Sequence, residues 1–167
     1  LGVQGMPPNQ VMAGLALFLT FFVMAPVGEK IHRQAIVPYM DGKLSDSAAL
    51  SAGIAPLRRF MLDQTRVKDL QLFLDIGNIP TPSRPSEIPL TSLIPAFVVS
   101  ELTTAFHMGF LIFIPFLLLD FVLASIIMSM GMVMLPPSLI SLPVKVMLFV
   151  LVDGWHLVVR SLVHSFS

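Results

Sequence analysis

Apolar positions along the chain form three blocks. Residues 11–27 carry no charge over seventeen positions, the low end of what crosses a ~30 Å hydrocarbon core. Pro26 and Gly28 are helix-ending signals and Glu29-Lys30 returns the chain to water, so one membrane-class helix is predicted to stop there. Residues 29–89 are polar. Asp41-Gly42-Lys43 reads as a turn, and Ser45 as the N-cap of a short helix through Ser51, with Asp46 well placed in its first turn. Pro56 fits the first turn of a following helix. Leu57, Phe60, Met61, Val67, Leu70, Phe73 and Leu74 then recur at three- and four-residue steps, and Gly77-Asn78 should end that helix in the left-handed conformation. Prolines 80, 82, 85 and 89 predict an extended linker. From residue 90 to Gly131 the chain is apolar almost throughout. One helix of that length would run about 60 Å, twice the hydrocarbon thickness. Either it bends, with Pro115 the kink, or part of it lies outside the bilayer against other protein. Residues 138–165 supply a returning helix begun near Pro143, and a tight turn makes the two arms an antiparallel hairpin. The predicted fold is all-α: apolar hairpin arms with a small helical extramembrane module. Its parts are a linker and first apolar helix (1–28), a polar module with its Pro-rich linker (29–89) and the long hairpin (90–167).

Composition sharpens the class. The chain is 55% hydrophobic and 12% charged, with a mean hydropathy of +0.85, whereas a soluble domain carries about 25% charged residues. Net charge is zero, which leaves no basic surface to displace counterions and excludes nucleic acid as a partner. Lack of cysteine removes disulfides, thiolate metal sites and thiol nucleophiles. Charge is also segregated. Fifteen of the twenty formal charges fall between Glu29 and Glu87, eight basic and seven acidic, so loop charge gives no orientation. Asp63, Arg66 and Asp69 stand at helical spacing there and read as a solvated face. The opening residues show no charged n-region or cleavage site, and the chain reads as processed or partial.

Between the hairpin arms, Met128, Met130, Met132 and Met134 occupy every second position. That period cannot place four side chains on one helical face. Gly131 and Pro136-Pro137 end the helix, leaving residues 132–135 as a turn carrying flexible, polarizable thioethers that pack against changing shapes. A hydrophobic turn that is merely rich in methionine fits the composition equally well.

Glu101, Asp120, Lys145 and Asp153 interrupt the apolar arms, where a charge costs about 2.5–3.5 kcal/mol on insertion scales. Glu101 and Lys145 are opposite in sign but not mirrored about the turn, which favours contact between neighbouring copies; snorkelling of each to an interface is the alternative. Asp153, His156, Arg160 and His164 recur at steps of three and four and predict one face of the last helix, beside Trp155. Asp120 and Asp153 are candidate interface or pore-facing groups. The histidines lack metal-ligand spacing and no carboxylate set accompanies them, so no metal or other cofactor is predicted. Hydrolase, zinc-protease, P-loop and dinucleotide motifs are lacking, and a non-enzymatic role follows.

Several segments taken together resemble the FliP family: the 15–24 stretch, Asp41-Gly42-Lys43, Ala55-Pro56-Leu57-Arg58, Phe60-Met61-Leu62, Gln64-Thr65-Arg66, Ser100-Glu101-Leu102 with Thr104-Ala105-Phe106, Met128 to Pro137, and Phe149 to Trp155. Members carry a signal sequence and a first hydrophobic segment, and this chain is similar to the portion after them. The resemblance implies the export gate of the flagellar type III secretion apparatus, with homologues in injectisomes. It implies several copies assembled with FliQ-family and FliR-family subunits into a helical pore, next to FlhA-family and FlhB-family proteins, in the bacterial inner membrane at the flagellar basal body. The polar module would be periplasmic and the cargo unfolded export substrates. The Met-rich loop would be a gasket closing the channel, matched here by Met128, Met130, Met132, Val133 and Met134, with Val133 where many relatives have another Met. Glu101 and Lys145 match an intersubunit ion pair. His107, His156 and Arg160 depart from the family pattern and inherit no role. The competing reading is a small-solute transporter or channel subunit with Asp120, Asp153 and His156 as a relay. It calls for an internal repeat, and the first and last apolar segments show none.

Overall fold

The computed structural model describes residues 7–82, 84–131 and 137–166, and all regular structure among them is helical. The chain runs through α1 (Asn9–Ile31), a π-helical turn (His32–Ile36), α2 (Val37–Met40), α3 (Asp46–Gln64), α4 (Val67–Ile76), a 3-10 turn (Pro85–Glu87), α5 (Leu90–Ser129), α6 (Pro137–Leu151) and α7 (Gly154–His164). Two stretches, Asn9–Met40 and Leu90–Ser129, are long and apolar enough to cross a membrane; a third is if α6 and α7 count as one bent span. The contacts divide into two compact units, residues 18–104 and residues 1–17 with 105–167.

The first helix does not stop at Pro26 or Gly28 as expected. Pro26 sits inside α1, and helical structure continues to Met40. A proline deletes one backbone donor and distorts a turn, but packing can carry a helix through it; Val27, next to it, is buried. The irregularity appears later. The Val37 amide donates to the His32 carbonyl, a bond one residue wider than the α-helical one, immediately before Pro38, which has no amide to give. Ala35 in this turn is buried, and its methyl lies 3.6 Å from where a side chain on Gly53 of α3 would begin.

In the polar module Ser45 is the N-cap, its Oγ accepting from the Ala48 amide, as the sequence predicts. The short helix and the Pro56-initiated helix are instead one, α3, with Pro56 buried inside it. The amphipathic run is in turn interrupted at Thr65-Arg66, which are extended, so α3 and α4 are separate helices. Thr65 Oγ1 donates to the Met61 carbonyl at 2.6 Å. α4 ends as predicted: Asn78 takes a positive φ of 49°, and the Ile79 amide reaches back to the Leu74 carbonyl at 2.9 Å. In the proline-rich linker, expected to be wholly extended, residues Pro85–Glu87 close a 3-10 turn and Arg58 donates to the Ile88 carbonyl.

α5 is one helix of 40 residues with Pro115 inside it. The opening turns of α5 do pack against protein, but within the chain itself. Its opening turns belong to the unit built around α3 and α4: Leu93, Ala96 and Ser100 are completely buried, Phe97 meets Phe60 edge-on at 5.9 Å, and Ser92 faces the Phe73 carbonyl. Residues 105–129 remain, roughly 37 Å of helix at 1.5 Å per residue, long enough to cross a ~30 Å hydrocarbon core.

In the other unit the chain returns antiparallel to α5. Asp120 pairs with Lys145 and, earlier on α5, Met108 lies against Ser161, so contacts move forward on one arm as they move backward on the other. The return is not one straight helix from near Pro143. It begins at Pro137 and is broken between α6 and α7 by a bend of 63°.

Candidate functional site

Lys145 lies two turns into α6 on an otherwise apolar helix, and its side chain is 7% exposed. A lone ammonium there would be costly, and the structure supplies Asp120 of α5, whose Oδ2 accepts from Lys145 Nζ. Ser141, one turn before Lys145 and also buried, faces the same carboxylate. The pair joins the two hairpin arms. An ammonium has three donors and a carboxylate about four acceptor sites, so both retain capacity after this bond.

Glu101 belongs to the other compact unit, on the part of α5 packed against the polar module. Arg66, the residue at which α3 gives way to α4, meets this part of α5 at Ser100 and Thr104. Around it the Arg66 amide donates to Ser100 Oγ at 3.0 Å, Ser100 donates to Asp69 Oδ2 at 2.7 Å, and Arg66 Nη2 donates to Thr104 Oγ1 at 3.1 Å. Ser100 is completely buried and Asp69 nearly so. The solvated face expected of Asp63, Arg66 and Asp69 is therefore corrected. Asp63 stays exposed beside Arg59, but the break at Thr65-Arg66 turns the other two onto α5.

Met128 and Met130 end the first arm, each about two-thirds exposed. Gly131 takes a φ of +77°, a left-handed conformation that glycine adopts without a steric cost, and so stops α5 where the sequence predicts. Met132, Val133 and Met134 lie outside the described residues.

Asp153 does not share a face of the last helix. It sits at the α6–α7 break with φ 50° and ψ 53°, the left-handed region, and precedes α7; His156, Arg160 and His164 follow on α7 at four-residue steps. The bend is tightly packed. Gly154 is buried, a Cβ on it would collide with the Phe149 ring, and Phe149 meets Trp155 edge-on at 5.5 Å. Among the described residues no group of three His, Cys, Asp or Glu side chains is placed to hold a metal ion.

Sequence reasoning set Lys145 against Glu101 of a neighbouring copy and left Asp120, the carboxylate nearer to register within the chain, without a partner. Asp120 stands eleven residues before Gly131 and Lys145 fourteen after, a near-mirrored spacing that an antiparallel hairpin brings together. Arg66, Asp69, Ser100 and Ser141 carried no such signal, since their roles depend on which helices meet.

A sequence profile of the FliP family matches residues 1–162. The chain is 55% identical over 166 residues to the flagellar biosynthetic protein FliP of Bacillus subtilis (strain 168), covering 99% of this chain and 75% of that protein. It is 54% identical over 166 residues to the protein of the same name from Buchnera aphidicola subsp. Baizongia pistaciae (strain Bp), covering 99% and 46%, and 53% identical over 167 residues to that of the Acyrthosiphon pisum subspecies (strain APS), covering 100% and 44%. It thus spans three quarters of the first relative and about half of the other two. With its all-helical fold, two long apolar helices and this match from end to end, the chain belongs to the FliP family.

Proposed function

We propose that the chain is a channel-forming subunit of the flagellar type III protein export gate, passing unfolded substrates across the bacterial inner membrane. The single observation that carries the reading is the family match over residues 1–162. The surface of α5 beyond residue 104 supports it: Phe106, Phe110, Leu111, Leu118, Phe121 and Val122 are more than half exposed in the single chain. That much apolar surface requires lipid or sister subunits. Several copies would assemble with FliQ-family and FliR-family subunits, beside FlhA-family and FlhB-family proteins, with residues 29–89 on the periplasmic side.

In such an assembly Met128, Met130, Met132, Val133 and Met134 from each copy meet at the axis. Thioether side chains exclude water at rest and deform around whatever side chain passes, because methionine has soft torsions and a polarizable sulfur. Glu101 of one copy pairs with Lys145 of the next, using the donor capacity that Asp120 leaves on Lys145. Asp120 therefore positions the lysine, and Asp153 shapes the arm that carries it. The reading is tested by replacing Met132 and Met134 with Ala in flagellated cells and following the influx of a small solute. Leakiness is expected; permeability unchanged after both replacements removes the gasket. Glu101→Gln and Lys145→Gln are each expected to lower assembly, and together no further than the worse of the two; losses that multiply independently remove the intersubunit pair.

A further inference from the structure

Where the uncharged run of α1 ends, at Val27, a cavity of about 360 Å³ lies between α1 and α3. The two helices run antiparallel there. Ala35 lies against Gly53, and Val27, earlier on α1, shares the cavity with Phe60 and Asp63, later on α3. Each side contributes a stripe at steps of three and four: Val27, Lys30 and Gln34 from α1 and the π-helical turn, Pro56, Arg59 and Asp63 from α3. Val27 and Pro56 are buried and form an apolar floor with Phe60, while Lys30, Gln34 and Arg59 are exposed at the rim. The rim charges do not cancel. Glu29 is taken by Arg33, and among the described residues no carboxylate stands within ion-pair distance of Lys30. Arg59 meets Asp63 loosely, Nε to Oδ2 at 3.9 Å, with both side chains mostly in the open. Lys30 and Arg59 against Asp63 leave the cavity with one surplus positive charge.

We propose that this cavity is a phospholipid site, in which the phosphodiester of an anionic glycerophospholipid sits between Lys30 and Arg59 with its acyl chains along α1. A phosphodiester carries a single negative charge, which matches the surplus, and it accepts from ammonium, guanidinium and amide alike, the donors that Lys30, Arg59 and Gln34 present. Its place along the chain fits the same ligand. The stretch Asn9–Met40 is long and apolar enough to cross a membrane, and the cavity opens where its uncharged part gives way to Glu29-Lys30, the level of the headgroups. Basic pockets beside membrane helices hold anionic headgroups by this chemistry. A choline headgroup brings its own cation beside the phosphate and so meets the two rim cations less well. None of the lining residues belongs to the hairpin, so the site is independent of the pore proposed above.

The test uses the full-length protein, extracted in mild detergent with whatever copies assemble on it. It is titrated with phosphatidylglycerol, and bound lipid per chain is read by native mass. Saturable binding is expected, with phosphatidylcholine of the same acyl chains and the deacylated headgroup, glycerophosphoglycerol, each about tenfold weaker. Equal binding of phosphatidylcholine overturns the anionic ligand, and equal binding of the soluble headgroup overturns the lipid. Lys30→Gln and Arg59→Gln should each weaken phosphatidylglycerol about fivefold, and together about twentyfold. Lys68→Gln removes a cation of the same module outside the cavity and should change binding less than about twofold. An equal loss there would mean general surface attraction and overturns the site. Ala55→Trp keeps every charge and fills the cavity from an exposed position on α3, so it should abolish saturable binding. Full binding in that variant overturns the site as well. Helix content is followed by circular dichroism throughout, and if the double charge variant loses it, Ala55→Trp decides alone.

Discussion

Lys145 and Asp120 show how a charge is kept inside an apolar hairpin. Lys145 is the more deeply buried, with 7% of its side chain exposed against 34% for Asp120. Removing Asp120 strands a buried ammonium, whereas removing both charges leaves two apolar helices facing each other. Asp120→Leu is therefore expected to destabilise the hairpin by somewhat less than the ~3–5 kcal/mol of a fully buried pair, since about a third of the Asp120 side chain lies at the hairpin surface. The double variant Asp120→Leu/Lys145→Met should recover most of that loss. Thermal unfolding in detergent, followed by near-ultraviolet dichroism of Trp155, checks both values. Equal loss in single and double variants would show that the pair does not hold the arms. That this lysine needs a carboxylate was legible from its apolar neighbours. Which carboxylate it meets within the chain was not, because mirrored spacing about Gly131 was weighed for Glu101 and not for Asp120. Asp69 was less legible still: its burial depends on a helix break that neither glycine nor proline announces.

At the level of elements, the ends of helices were readable where a local bond makes them. Ser45 caps α3, Asn78 closes α4 and Gly131 closes α5, each by chemistry held within a few residues. Prolines misled, because Pro26 and Pro56 lie inside helices that tertiary contacts sustain. The α6–α7 bend also escaped the sequence, although Asp153-Gly154 contains what it needs: a residue that tolerates the left-handed region and one without a side chain beside Phe149. Two outcomes follow. Asp153→Asn should be nearly neutral, while Asp153→Val costs about 1–2 kcal/mol by forcing a β-branched residue to positive φ. Gly154→Ala should cost about 1–3 kcal/mol through overpacking on the Phe149 ring and be partly rescued by Phe149→Leu. Denaturation midpoints of the four variants measure this, and an unrescued Gly154→Ala would mean that the ring is not what excludes the methyl.

For the molecule as a whole, the all-helical class and the division between polar module and apolar arms follow from segregation of charge. The opening turns of α5, up to residue 104, pack onto α3 and α4. The chain has no cysteine, so single cysteines can report on this directly. A cysteine at Leu93 or Ala96 should resist thiol labelling in the isolated chain. One at Phe106, Phe110 or Leu111 should label in detergent and become protected in the multi-copy complex. Persistent labelling at all three in the complex would mean that this face does not meet sister subunits.

The π-helical turn at His32–Ile36 sets an azimuth. One surplus residue advances everything upstream by about 100° around the axis relative to an unbroken α-helix. The aromatic ridge of Phe18, Phe21 and Phe22 and the seat of Ala35 against Gly53 are therefore geared to each other through that extra residue. Deleting a single residue there would leave the rod intact and as greasy as before, yet swing the ridge a quarter-turn away from whatever surface it was cut to meet.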